Sequence, residues 1–145
     1  MPTLYILGGA NGVGKTTWYK TGIENNSIDS ELPFINVDLI VLRELGGYTS
    51  ENIHRAEQIV RERLKVFVQE RKDFMLESNL SKSSDYEWIK RMRENGYETS
   101  LFFLGTDNVE INKSRVKVRV KEGGHDIPEP IIEQRYHIGL SYLKS

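Results

Sequence analysis

Ten consecutive residues near the start of the chain, Gly8-Gly9-Ala10-Asn11-Gly12-Val13-Gly14-Lys15-Thr16-Thr17, could bind a phosphate ester. The spacing Gly9-x-x-x-x-Gly14-Lys15-Thr16 is that of a P-loop. Glycines at Gly9, Gly12 and Gly14 let the backbone curl until successive N–H groups, including those of Asn11 and Val13, point into one concavity that suits an anion. A helix opening at about residue 14 adds the positive end of its dipole and N–H donors that have no intrahelical acceptor. Lys15 then reaches the outer phosphates of a nucleoside triphosphate, the Thr16 hydroxyl joins a Mg²⁺ shell, and Thr17 extends the cradle.

Other residues could complete a reaction. Asp38 follows the apolar run Pro33-Phe34-Ile35-Asn36-Val37, and Glu77-Ser78-Asn79 follows Phe74-Met75-Leu76. In an open parallel sheet, ligands bind at the carboxyl ends of the strands, so the P-loop, Asp38, Glu77 and Gly105-Thr106-Asp107 converge at one edge. A carboxylate there can support a metal or accept the proton of an attacking hydroxyl. The plainer alternative for Asp38 is the N-cap of a helix over 39–45, and for Glu77 a pair with a surface lysine. Arg115, Arg119 and Arg135 are candidates to stabilise charge on a transferring phosphoryl group, or else solvated surface residues. His125, in a glycine-flanked loop, reads as a loop or capping residue. Trp18 and Trp88, at helix spacing, read as packing residues.

The elements that must position these residues alternate between short apolar runs and longer amphipathic ones, the pattern of a parallel sheet flanked by helices. Strands are expected at 3–8, 33–37, 74–76 and 97–104. Helices are expected at about 14–24, 50–72, 84–95 and 128–143. Ile53, Ala56, Val60, Leu64 and Phe67 step by three and four along the second helix. Ser84 and Glu87 form a candidate capping box, Asn95-Gly96 a helix stop, and Pro128 a first helical residue. Residues 107–121 are ambiguous, because Val116, Val118 and Val120 alternate with basic residues as in a strand. A helix is expected there, since a parallel strand must lead into a crossover. With the P-loop as the first βα turn, the sheet order is expected to be 2-3-1-4.

The 145 residues fit one domain. A hydrophobic content of 38% with 28% charged residues is ordinary for a globular chain. The balance of 20 basic against 21 acidic side chains offers no track for nucleic acid or an anionic membrane. The absence of cysteine excludes disulfides and thiol catalysis. No run approaches the ~18 apolar residues of a membrane span, and the P-loop begins too early for a leader, so a cytoplasmic location is expected.

Four patches in order resemble the zeta toxin family of P-loop kinases: the P-loop itself, Phe34-Ile35-Asn36-Val37-Asp38, Glu77-Ser78-Asn79-Leu80-Ser81, and Arg115 through Arg135-Tyr136. Within the last, Arg119-Val120-x-x-Gly123-Gly124-His125-x-x-Pro128 looks like the lid of small zeta-like members, here at about 108–136 of a single domain. The resemblance implies an α/β P-loop kinase fold, with ATP or GTP as phosphoryl donor and Mg²⁺ as cofactor. It implies Lys15 and Thr16 as phosphate and Mg²⁺ ligands, Asp38 as general base, and Glu77 with Asn79 on the acceptor. Arg119 and Arg135 would be the lid arginines, with Arg115 the alternative match to Arg119. Family members phosphorylate the 3′-hydroxyl of UDP-N-acetylglucosamine. The chain departs from the family at Asn79, where Thr is common, and after Leu140, where relatives continue into a final strand. Four strands with one unpaired edge are therefore expected. The expected function is an ATP- or GTP-dependent kinase acting on a hydroxyl of a small molecule, such as a nucleotide sugar. The competing reading is a nucleotide-binding module without transferase activity, held by a partner such as an antitoxin. A polynucleotide-end kinase is disfavoured by the neutral charge.

Overall fold

The structure, a computed structural model, describes residues 1–10, 12–105, 109–121 and 127–144, with the backbone alone at 118–121, 136 and 138–144. Four strands, β1 (Thr3–Gly8), β2 (Phe34–Ile35), β3 (Phe74–Ser78) and β4 (Glu98–Phe103), form one sheet in the order β2-β3-β1-β4. Every pairing is parallel: Leu4 lies beside Phe74 and Thr99, and Ile35 beside Leu76. Six helices surround the sheet among the described residues: α1 (Lys15–Glu24), α2 (Val37–Arg43), α3 (Ser50–Gln69), α4 (Ser83–Glu94), α5 (Val109–Lys121) and α6 (Glu129–Lys144). This is the expected α/β architecture and strand order.

Alternation along the strands divides the core. Leu4, Ile6, Phe74 and Leu76 face α3 and α4, packing with Val60, Leu64, Phe67, Trp88 and Ile89. Leu7 and Met75 face the other way, against Trp18, Tyr19 and Ile23 of α1. The apolar stripe of α3 serves two partners. Ile53 and Ala56 pack on Ile40 and Val41 of α2, while Leu64 and Phe67 pack on the sheet. On the outer strand β4, Leu101 and Phe102 point to opposite faces and are both exposed. The expected unpaired edge is thus present among the described residues.

Several boundaries differ from the sequence expectation, each for a local reason. β2 is only two residues long because Asn36 turns the chain into a helix: its Oδ1 accepts from the Leu39 N–H at 3.3 Å. Asn36 is therefore the cap of α2, and Asp38 lies in its first turn rather than at its N-cap. α3 stops at Gln69 because Arg71 adopts φ 56° and the Lys72 N–H bonds back to the Phe67 carbonyl. α4 does not start on a Ser84–Glu87 box. Its cap is Lys82, whose backbone N–H donates to Asp85 at 3.2 Å. The alternating valines of 107–121 are helical as expected, since α5 buries Val116 and Asn112 on one stripe. Pro128 precedes α6 instead of opening it, its carbonyl accepting from Ile132.

α5 and α6 pair through Val116 and Ile132 and through two ion pairs, Lys113–Glu133 at 3.1 Å and Lys117–Glu129 at 2.8 Å. The Lys117 ammonium holds the Glu129 carboxyl below its ordinary value. That link therefore operates at neutral pH and is lost as the pH falls through the lowered value.

Phe74 has no exposed surface and touches both Phe67 and Tyr97, with ring centroids 5.4 and 6.0 Å away. Phe74→Ala should lower unfolding free energy by about 3–5 kcal/mol in urea titration. A loss under about 1 kcal/mol would mean that this side chain is not a core anchor.

Candidate active site at the carboxyl ends of the strands

The P-loop follows β1 directly and ends in α1. Gly9, Gly12 and Gly14 all have positive φ (141°, 76° and 104°), a region L side chains rarely adopt. Gly14 caps α1 without a side-chain bond, and the first helical hydrogen bond runs from the Trp18 N–H to the Gly14 carbonyl at 2.9 Å. The N–H groups of Lys15, Thr16 and Thr17 precede that bond, so they start the helix without an intrahelical acceptor. This is the anion-binding end that the sequence pattern demands.

Lys15 is 6% exposed although it carries a charge. Its ammonium lies 2.9 Å from Glu77 Oε1 and donates to Asn79 Oδ1 at 2.8 Å and to the Gly9 carbonyl. The plain expectation of a lysine partner for Glu77 thus holds in altered form: the partner is the P-loop lysine, not a surface one. An ammonium removed from water is tolerated only when paired and hydrogen-bonded, and here a carboxylate, an amide oxygen and a backbone carbonyl share that task.

The turn that presents Asn79 is held firmly. Leu80 is buried at φ 51°, a conformation costly for a branched side chain. Ser78 Oγ accepts from the Leu80 N–H at 3.1 Å, and the Tyr86 hydroxyl donates to the Leu80 carbonyl at 2.9 Å. Gly8 is required beneath it, because a Cβ there would stand 2.3 Å from Leu80 Cδ1.

A cleft of about 650 Å³ opens beside the P-loop, walled by Gly12 to Trp18, Asp38, Glu77, Leu104, Ser114 and Arg115. The sheet therefore brings together Gly12, Val13, Gly14, Lys15, Thr16, Thr17, Asp38 and Glu77, as the strand-end rule expects. Asn79 meets the cleft through Lys15. Gly9 stands behind it, where a Cβ would come within 2.5 Å of the Leu104 carbonyl. Of the arginines, Arg115 reaches the P-loop, donating to the Gly12 and Val13 carbonyls at 3.2 and 2.9 Å. Arg135, half-buried on α6, is not among the residues lining the cleft. Asn11, Thr106, Asp107, His125 and the Arg119 side chain lie outside the described residues.

Three wall residues were not assigned to the site from sequence. Trp18 lines the cleft while packing on Phe102 at 5.1 Å between ring centroids, so it does more than the packing expected of it. Its position three residues after Lys15, one turn into α1, is a signal that places it beside the P-loop. Ser114 carries no comparable signal, because only the docking of α5 brings it there, whereas Leu104 arrives with the carboxyl end of β4, its N–H donating to the Gly8 carbonyl at 2.9 Å.

The donor set decides what cation could be held. No group of three or more His, Cys, Asp or Glu side chains clusters among the described residues. The Thr16 hydroxyl and the carboxylates of Asp38 and Glu77 share the cleft wall. This fits a Mg²⁺ ion that arrives with phosphate oxygens as most of its ligands, not one held by a protein cage.

The contact between the P-loop and α5 is tight at one glycine and loose at another. A Cβ on Gly12 would stand 2.1 Å from the Asn112 carbonyl oxygen, whereas one on Gly14 would meet only Arg115 Nη1 at 3.5 Å. Gly12→Ala and Gly14→Ala should both incur backbone strain, on the order of 1–3 kcal/mol. Only Gly12→Ala should also detach α5, which hydrogen exchange on the α5 amides measures. Equal protection in both variants would refute this packing.

Comparison with known proteins agrees with the geometry. The zeta toxin family profile matches residues 1–142. An uncharacterized protein of Haemophilus influenzae is 46% identical over 63 residues, which are 43% of this chain and 45% of that protein. Among solved structures, the Pnkp1/Rnl/Hen1 RNA repair complex superposes with a TM-score of 0.75 at 20% identity, over 99% of this chain and 45% of the other. The AvrRxo1-ORF1:-ORF2 structure with ATP gives 0.73 at 17% identity, over 99% of this chain and 49% of the other. In each case the match spans less than half of the relative's own length. At such identities the structural likeness speaks for the fold. The profile match over nearly the whole chain speaks for descent, and this chain belongs to the zeta toxin family.

Proposed function

We propose that this protein is a phosphotransferase that moves the γ-phosphoryl group of ATP or GTP to a hydroxyl of a small molecule, with a nucleotide sugar such as UDP-N-acetylglucosamine as the favoured acceptor. The observation that carries this reading is the shared wall of one cleft: the P-loop with Lys15, Glu77 in contact with that lysine, and Asp38. Nucleotide binding alone needs only the P-loop and support for its cation. A transferase also needs a carboxylate to take the acceptor's proton.

The roles follow from placement. The N–H groups at the start of α1 and the Lys15 ammonium bind the phosphate chain, with Arg115 anchored on the P-loop carbonyls beside it. Thr16 would hold Mg²⁺, which when bound neutralises charge on the phosphate oxygens. Asp38, half-buried in the first turn of α2, is aimed from that element into the cleft and accepts the proton of the acceptor hydroxyl. The hydroxyl oxygen forms a bond to the γ-phosphorus as the bond to the bridging oxygen breaks, and the nucleoside diphosphate leaves. Glu77 and Asn79 sit where the acceptor must approach. The segment of about 108–136 acts as a lid carrying Arg115 or Arg119, together with Arg135. The structural relative solved with ATP also contains a second protein, and a partner such as an antitoxin fits this chain's reading as well.

The binding-module reading draws on one observation: Lys15 is already engaged by Glu77, Asn79 and Gly9, so its ammonium is not idle. Transfer of labelled phosphate from ATP or GTP to UDP-N-acetylglucosamine, with other nucleotide sugars as controls, separates the two. Asp38→Asn should cut transfer by about 10²–10⁴-fold while leaving nucleotide affinity within a few-fold, since an amide cannot take the proton. Arg119→Ala and Arg135→Ala should lower kcat more than affinity. Nucleotide binding without transfer to any acceptor selects the binding module. Transfer that survives Asp38→Asn removes Asp38 as the base.

A further inference from the structure

The sides of α5 have different tasks. Asn112 and Val116, one turn apart, are buried. Lys113 and Lys117, also one turn apart, pair with Glu133 and Glu129 of α6. Among the described side chains of α5, the remaining basic one is Arg115, and it crosses to the P-loop. Its Nη1 donates to the Gly12 and Val13 carbonyls at 3.2 and 2.9 Å.

The end of a peptide unit that a guanidinium takes decides what the contact can do. A P-loop binds anions with its N–H groups. In a planar trans peptide the carbonyl and the following N–H point in opposite directions. The Gly12 carbonyl shares its unit with the Val13 N–H, and the Val13 carbonyl shares its unit with the Gly14 N–H. Arg115 holds both units by their carbonyl ends and so fixes where the two N–H groups aim. That of Val13 turns to the Ala10 carbonyl at 3.3 Å and closes the turn. That of Gly14 opens the series that continues with the N–H groups of Lys15, Thr16 and Thr17 at the start of α1.

The loop needs such a hold from outside. Glycines at φ 76° and 104° stand on either side of Val13, and a glycine backbone has little steric preference of its own. A guanidinium presents its donors in a rigid plane that two adjacent carbonyls can share, which an ammonium on a flexible stem does not.

We propose that Arg115 is a positioning residue: from α5 it sets the P-loop peptide units in their anion-binding orientation and does not itself touch the transferring group. This role rests on the phosphotransferase reading and refines it, leaving Arg119 rather than Arg115 as the lid arginine. Because α5 is tied to α6, the shape of the phosphate site then depends on where this helix pair sits.

The probes are MgADP and magnesium tripolyphosphate, which has no nucleoside, both titrated by calorimetry. Arg115→Ala should raise the two dissociation constants alike, by about tenfold or about 1.4 kcal/mol. Arg115→Lys should recover part of that loss, because an ammonium can still reach one carbonyl. In the transfer assay the loss should appear in KM for nucleotide, with kcat at saturation kept within about threefold. Hydrogen exchange in the ligand-free protein requires neither nucleotide nor acceptor. There Arg115→Ala should speed exchange of the Val13 amide by about tenfold and leave the α3 amides unchanged. Should that variant not fold, Arg115→Lys is measured in the same way.

A kcat loss of about a hundredfold with both dissociation constants unchanged puts Arg115 on the phosphoryl group and overturns the proposal. Weakened MgADP with intact tripolyphosphate binding marks a contact with the nucleoside and overturns it too, as does unchanged Val13 exchange. A wild-type protein that binds tripolyphosphate but transfers to no acceptor defeats the transferase reading alone, and the dissociation constants with Val13 exchange still decide the role of Arg115. A wild-type protein that binds neither probe defeats the nucleotide reading, and Val13 exchange decides alone.

Discussion

The arrangement of this site depends on keeping one ammonium group out of water. Lys15 is almost wholly buried, and its charge is tolerated because Glu77, Asn79 and the Gly9 carbonyl surround it. Those three partners come from different segments: the P-loop, the end of β3 and the turn into α4. Pairing β1 with β3 in parallel register, Leu7 beside Glu77 and Gly8 beside Ser78, is what sets them side by side. The strained Leu80 backbone follows from the same demand, since Asn79 must face Lys15 while Leu80 fills the core.

A second constraint operates on the other side of the loop. α5 approaches the P-loop so closely that the Asn112 carbonyl leaves no space for a side chain at Gly12. Arg115 then reaches two P-loop carbonyls that would otherwise need other donors. α5 is in turn joined to α6 by an apolar contact and ion pairs. Val116 and Ile132 are buried in that contact, while the Lys117–Glu129 pair is exposed and so individually weak. The β-sheet side of the cleft likewise rests on fully buried side chains such as Leu4, Leu7 and Phe74.

The same β3 end also connects the cleft to the space between α3 and α4. Successive residues of a strand face opposite sides of a sheet, so Leu76 and Glu77 diverge, but at the strand's end the longer side chain reaches both spaces.

Much of this was already determined by the residues in order. The glycine spacing of the P-loop requires a tight turn wherever it occurs, and apolar runs alternating with amphipathic ones require a parallel sheet. The order β2-β3-β1-β4 followed from that. Convergence of Asp38 and Glu77 was legible too, because strand ends share one edge. The short-range competition at Asn36 was harder to read, since Asn36 and Asp38 are both good caps and only the backbone path selects between them. Tertiary structure alone decided that Glu77 pairs with Lys15 and that Arg115 meets the P-loop. It alone decided that Ser114 joins the wall. These contacts link residues as many as 103 positions apart, and no local periodicity encodes which side chain a docked helix turns toward its neighbour.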